Sequence, residues 1–230
     1  MKIQSVILLL ISLCLLGLKP KSKQKLTFIY VFDPMCSWSY AFNSKLMKLK
    51  EVNPDIDIKP MAGGLATGAF CVSVKDGYKS ILNNELESVK KNTGTQFGDK
   101  YLSLMQQGDY VYNSVPATKA LIVFRSFNTG KEFEYINALQ TAFYNEGKSL
   151  NELSTFIEVA HQFEIDGLQF FKRFQHPDIA KQAKSEFDQT AKLGVNNFPT
   201  LLLETDAKPI ILVNGFMHEN ELEKIISQLK

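Results

Sequence analysis

The sequence predicts an α/β protein built as β-α-β, then a long helical block, then β-β-α. Three observations predict it. Two strand-like runs with a helical stripe between them open the body of the chain. Helical periodicity then fills about 120 residues. Two short strand-like runs and one amphipathic segment close it.

Leu26–Phe32 (LTFIYVF) is a run of β-branched and aromatic residues, the pattern of a fully buried strand, and Asp33-Pro34 stops it. Trp38, Phe42, Leu46 and Leu49 fall on one helical face, and Asn53-Pro54 ends that helix. Asp55–Met61 (DIDIKPM) alternates and reads as a second strand, closed by Gly63-Gly64. Strand, helix, strand in this order predicts a parallel pair with a crossover.

In the helical block, Ser114 and Pro116 start a stripe of Ala117, Ala120, Leu121 and Phe124. Phe133, Ile136, Leu139 and Phe143 form the next, stopping at Gly147. Ser149 and Glu152 have capping-box spacing ahead of Leu153, Phe156, Ile157 and Ala160. A short helix is expected to bury Leu168, Phe171 and Phe174, and another runs from about Asp178 to Ala191 with Gly194 as its cap. Thr200–Glu204 and Pro209–Val213 flank the polar turn Thr205–Lys208 as a hairpin would. Leu222, Ile225, Ile226 and Leu229 mark the last helix. The whole describes a thioredoxin fold with a large all-helical insertion, about residues 66–187, between its second and third strands.

The chain has 230 residues, 45% hydrophobic and 22% charged, which is enough for a core and excludes disorder. Its net charge of +2 does not favour nucleic acid as a partner. Residues 1–25 hold five lysines and no acid, so the rest of the chain is mildly acidic, with 21 basic against 24 acidic side chains. Met1-Lys2 precedes a mostly apolar run whose strongest part, Val6–Leu18, has 13 residues. That length suits the core of a secretory signal, and it is short for the roughly 20 residues of a spanning helix. An uncleaved membrane anchor and an ordinary buried helix are the alternatives. Ser12-Leu13-Cys14 allows cleavage after Cys14, and a lipidated Cys14 would follow an unusually bulky Leu13. Residues 26–230 are then an exported domain, periplasmic or membrane-anchored, facing an oxidising compartment.

Cys36 follows a buried strand at the first turn of a helix, where free N–H groups and the positive end of the dipole converge. A thiolate is favoured there, so its pKa is expected to fall below about 8.5. Asp33 and Pro34 are expected to shape the turn and leave the sulfur near the surface, with Asp33 a candidate proton handler. A buried apolar cysteine is the other reading of Cys36.

The segment Phe32-Asp33-Pro34-Met35-Cys36-Ser37-Trp38-Ser39-Tyr40 resembles the active site of DsbA-like oxidoreductases, in particular the FrnE-like branch, which reads Asp-Pro-Met-Cys-x-Trp-Cys. Met61-Ala62-Gly63-Gly64-Leu65, Pro116–Ala120, Ala142–Lys148 and Gly194–Leu201 resemble further segments of that family in the same order. The resemblance implies that Pro199 is a cis-proline facing Cys36, with the backbone of Phe198 free to pair with an extended substrate and Trp38 beside the thiol.

Ser39 departs from the family, which has its second cysteine there. In a Cys-x-x-Cys site the first thiolate attacks and the second resolves the mixed disulfide. Here Cys36 can attack and Ser39 cannot resolve, although its hydroxyl can hydrogen-bond the thiolate. An external thiol such as glutathione, or Cys71 as a second thiol of this chain, would have to do so.

The expected function is disulfide exchange or isomerisation on protein thiols through Cys36 and Ser39, with Trp38, Phe198 and Pro199 binding substrate. A non-catalytic adaptor or chaperone is one alternative, and a glutathione-dependent isomerase or transferase is another. His161, His176 and His218 lack metal spacing, there is no phosphate-binding loop, and no resident cofactor is expected.

Overall fold

In the computed structural model, which describes residues 26–230, the run Leu26–Phe32 is a strand, β1, whose last five residues are buried. The leader and its cleavage site lie outside the described residues. Helix α1 (Ser37–Val52) follows and buries Phe42, Leu46 and Leu49. Strand β2 (Ile56–Ala62) pairs in parallel with β1, Leu26 opposite Ile56 and Phe32 opposite Ala62. It lies one residue later than Asp55–Met61, because Ile56, Ile58, Pro60 and Ala62 form its buried face. Pro60 is tolerated because β2 is an edge strand.

The helical block opens with a 3-10 turn at Gly68–Phe70 and a π-turn at Val74–Tyr78. Seven helices follow: α2 (Lys79–Thr93), α3 (Asp99–Gln107), α4 (Ser114–Arg125), α5 (Glu132–Tyr144), α6 (Leu153–His161), α7 (Gly167–Phe174) and α8 (Pro177–Lys192). Strands β3 (Thr200–Leu203) and β4 (Ile210–Asn214) and helix α9 (Glu219–Leu229) complete the chain. The sheet order is β2-β1-β3-β4. β3 is antiparallel to β1, with Val31 opposite Thr200, so the end of β1 and the start of β3 meet at one edge of the sheet.

Two details differ from the sequence reading. Ser149 does not cap α6: Glu152 is the N-cap, and the Ser149 hydroxyl instead accepts the Asn151 N–H in a local turn. In α7, Phe170 and Phe174 are buried while Leu168 and Phe171 are exposed. Spacing of three fits both faces of a two-turn helix, and packing against Phe127 and Phe156 selects Phe170 and Phe174.

The free edge of β2 is covered by side chains of the helical block, which keeps it from pairing with another strand. Glu186 on α8 is buried, accepts the Ala62 N–H at 2.7 Å, and is paired with Arg125 of α4. The same guanidinium donates to the Pro60 carbonyl, and Thr190 donates to the Ala62 carbonyl at 2.9 Å. Removing one partner leaves a buried charge uncompensated. Arg125→Leu is therefore expected to lower unfolding free energy by about 3 kcal/mol in urea titration. A loss below about 1 kcal/mol, as for a surface pair, would contradict this role.

Candidate active site

The turn between β1 and α1 is held by a fully buried carboxylate. Asp33 Oδ1 accepts the Met35 N–H at 2.8 Å and the Ser114 hydroxyl at 2.9 Å, and Oδ2 accepts the Leu65 N–H at 2.7 Å. Its carbonyl accepts the Cys36 N–H at 3.1 Å and the Gln140 side-chain amide at 3.1 Å. Gln140 in turn is bonded to Asn43, and both are fully buried. The turn is thus braced by α1 and by two helices of the insertion, α4 and α5.

Cys36 is the N-cap residue of α1, but its side chain makes no capping bond. Its thiol instead donates across the sheet edge to the Phe198 carbonyl at 3.5 Å. The Phe198–Pro199 peptide is cis. That loop is pinned by the Gly215 N–H, which donates to the Pro199 carbonyl at 2.7 Å, and by the Thr200 hydroxyl, which donates to the Asn197 carbonyl at 2.7 Å. The Phe198 ring lies against Gly63, where a Cβ would fall 2.1 Å from the ring, so this glycine is required by close approach.

Ser39 is fully buried, takes the Asp33 N–H on its hydroxyl at 3.4 Å, and accepts the Tyr30 hydroxyl on its carbonyl at 3.0 Å. Trp38 is half-buried, 5.9 Å from the Phe216 ring. Trp38, Phe198 and Phe216 line a groove of about 450 Å³, with Asn92, Asn197 and His218 as its polar groups. The structure therefore brings Cys36, Ser39, Trp38, Phe198 and Pro199 together. Cys71 ends the 3-10 turn, half-buried, and both cysteines are free thiols.

One expectation is corrected. The sulfur is not near the surface: Cys36 is only 6% exposed. Burial pushes its thiol up to about 12, with the carboxylates of Asp33 and Glu85 adding to the rise and the hydroxyl and N–H of Ser39 opposing it. The helix terminus is present, but removal of the sulfur from water outweighs it. Burial also raises Asp33 to about 6, against the hydrogen bonds that hold its ionised form.

Sequence reasoning missed Glu85, whose carboxylate accepts the Ser37 hydroxyl at 2.6 Å, as well as Gln140, Asn43 and Phe216. For Gln140 and Asn43 a signal existed: each is an amide next to an apolar stripe on its helix. Glu85 and Phe216 carry none. Among the described residues, no group of three or more His, Cys, Asp or Glu side chains could hold a metal ion, and no helix is long and apolar enough to cross a membrane.

The family model for the DSBA-like thioredoxin domain matches residues 27–226, nearly all of the described chain. The chain belongs to that family. No curated protein matches it. Among solved structures, this DSBA-like domain is similar to a candidate protein disulfide isomerase from Nitrosomonas europaea, at 21% identity and a TM-score of 0.76, covering 89% of this chain and 97% of that one. It is similar to the cytosolic disulfide reductase DsbM from Pseudomonas aeruginosa, at 23% identity and a TM-score of 0.73, covering 89% and 98%. It is also similar to a 2-hydroxychromene-2-carboxylate isomerase, at 15% identity and a TM-score of 0.59, covering 88% and 94%. These likenesses speak for the shared fold.

The raised Asp33 gives the DSBA-like domain a testable pH dependence. A carboxyl whose folded pKa is about 6, against 3.8 ordinarily, binds its proton more tightly when folded. It contributes about 3 kcal/mol of stability that is fully present only well below pH 3.8 and is lost as the pH rises through 6. Comparing Asp33→Ala with the wild type in urea should therefore show a destabilisation about 2 kcal/mol larger at pH 4 than at pH 7. An equal difference at both would contradict it.

Proposed function

We propose that the protein is a monothiol disulfide-exchange enzyme of DsbA-like type, acting on protein disulfides in the reducing or isomerising direction. The observation that carries this is the Cys36 thiol facing the Phe198 carbonyl, with Ser39 where a resolving thiol would stand. An extended partner segment in the groove can pair with the backbone at Phe198, as an added strand. It then competes for the carbonyl that holds the thiol protonated.

In the first step the Cys36 sulfur gives its electron pair to one sulfur of the partner disulfide. A mixed disulfide forms, the other partner sulfur leaves with the bonding pair, and the proton of the Cys36 thiol passes to that leaving sulfur. In the second, either a different thiol of the partner or an external thiol such as glutathione attacks the partner sulfur of the mixed disulfide, and Cys36 leaves with the bonding pair and takes up a proton. Ser39 cannot store an intramolecular disulfide, so the site holds no oxidising equivalents of its own. A buried sulfur whose thiolate is not stabilised favours the disulfide-bonded form of Cys36, as in a reducing site rather than a strong oxidant.

The basic, apolar leader supports an exported protein, cleaved or anchored, and protein thiols or disulfides are its partners. The burial of Cys36 favours a second reading, in which the groove binds extended segments without catalysis.

Isolation of mixed disulfides from cells producing the wild type and Cys36→Ala separates the two. Adducts present in the wild type and absent from the variant support exchange. No adducts in the wild type would favour the binding reading, and adducts that persist in the variant would make Cys71 the working thiol. Ser39→Cys restores a resolving thiol and should shorten the life of the adducts by about tenfold or more.

A further inference from the structure

Glu85 of α2 reaches the first turn of α1. Its carboxylate accepts the Ser37 hydroxyl at 2.6 Å, and Ser37 directly follows Cys36. A negative charge therefore sits at the end of the helix whose partial positive charge would otherwise stabilise an anion at the sulfur. Asp33 lies in the buried turn on the near side of Cys36. Both carboxylates oppose ionisation of the sulfur, after the larger effect of burial. The adjoining groove offers aromatic rings and the amides of Asn92 and Asn197, with His218 as its titratable group.

The two carboxylates differ in what they can do to an approaching partner. Asp33 is fully buried and carries three hydrogen bonds on its oxygens, so it serves the turn. Glu85 is half-exposed and lines a small enclosed space with Met35, Ser37 and Tyr78 beside the reactive turn. Through Ser37 it is held one residue from the sulfur that an incoming thiolate must reach. A thiolate bearing a further negative charge meets repulsion there, and one bearing a positive charge meets attraction.

We propose that Glu85 is a specificity-determining residue that selects the incoming thiol by charge, against anionic thiols and in favour of cationic ones or of cysteines flanked by Lys or Arg. The proposal rests on the reading that Cys36 is the exchange thiol. It ranks glutathione, with two carboxylates and one ammonium group, below a neutral or basic protein thiol as the resolving partner.

The test uses the full chain with Cys14→Ala and Cys71→Ala, so that Cys36 is the single thiol. Cys36 is first converted to its 2-thiopyridyl mixed disulfide with 2,2′-dithiodipyridine. It is then challenged with 2-aminoethanethiol, 2-mercaptoethanol and 2-mercaptoethanesulfonate. In each reaction the incoming thiolate gives its electron pair to the Cys36 sulfur and a new S–S bond forms. The bond to the thiopyridyl sulfur breaks, and 2-thiopyridone leaves with that pair and takes one proton from water. Rates are expressed per thiolate and divided by those on a thiopyridyl disulfide of a small model thiol.

The cationic thiol is expected to react about tenfold faster than the anionic one, with the neutral thiol between them and the ratio shrinking at high salt. Glu85→Gln should compress the ratio to within about threefold, and Glu85→Asp should retain most of it. A purely structural role would slow all three thiols together and leave their ratio unchanged. An unchanged ratio in Glu85→Gln, with normal loading of Cys36, overturns the proposal. Failure of Cys36 to accept the thiopyridyl group overturns the exchange reading, and the charge selection with it.

Discussion

The thiol of Cys36 and the carbonyl of Phe198 lie 162 residues apart in sequence and meet at 3.5 Å, and the rest of the structure serves that meeting. It requires the end of β1 and the start of β3 to share one edge of the sheet, which the antiparallel register of Val31 with Thr200 provides. It requires a fixed turn after β1, which Asp33 supplies by collecting donors from Met35, Leu65 and Ser114. It also requires room for the Phe198 ring, which Gly63 leaves by having no side chain. The inserted helices contribute the Ser114 hydroxyl and the Gln140 amide to the turn, so the insertion is a brace for the site as well as a roof over the sheet.

That arrangement makes the resting sulfur a protected thiol. A hydrogen bond donated by the thiol to a carbonyl favours the protonated form, and burial does the same. A site of this kind reacts when a partner changes its surroundings, by competing for the Phe198 carbonyl or by bringing compensating charge. Both routes tie reactivity to occupancy of the groove between Trp38, Phe198 and Phe216.

Much of this was legible in the sequence. The strands, most helix ends and the hairpin follow from periodicity and punctuation, because burial on one face imposes period 2 or 3.6. The cluster of Cys36, Ser39, Trp38, Phe198 and Pro199 follows from motif resemblance. The protonation of Cys36 was not legible. A helix N-terminus is visible in the sequence, but closure over the sulfur depends on a loop 162 residues away. Glu85 was invisible for the same reason: nothing local marks which of many acidic residues a fold brings to the first turn of α1. The buried face of α7 was misread because two turns of helix carry too few residues for spacing to separate Phe171 from Phe170.

Cys36 rests as a buried, protonated thiol held by the Phe198 carbonyl. The most direct test is the titration of Cys36 in the free protein, followed by the carbon-13 shift of its labelled Cβ. The expected result is a pKa well above the ordinary value of about 8.5, with the sulfur still protonated throughout the neutral range. A titration below that value would show a stabilised thiolate and would rule out a thiol held protonated by burial and the Phe198 carbonyl.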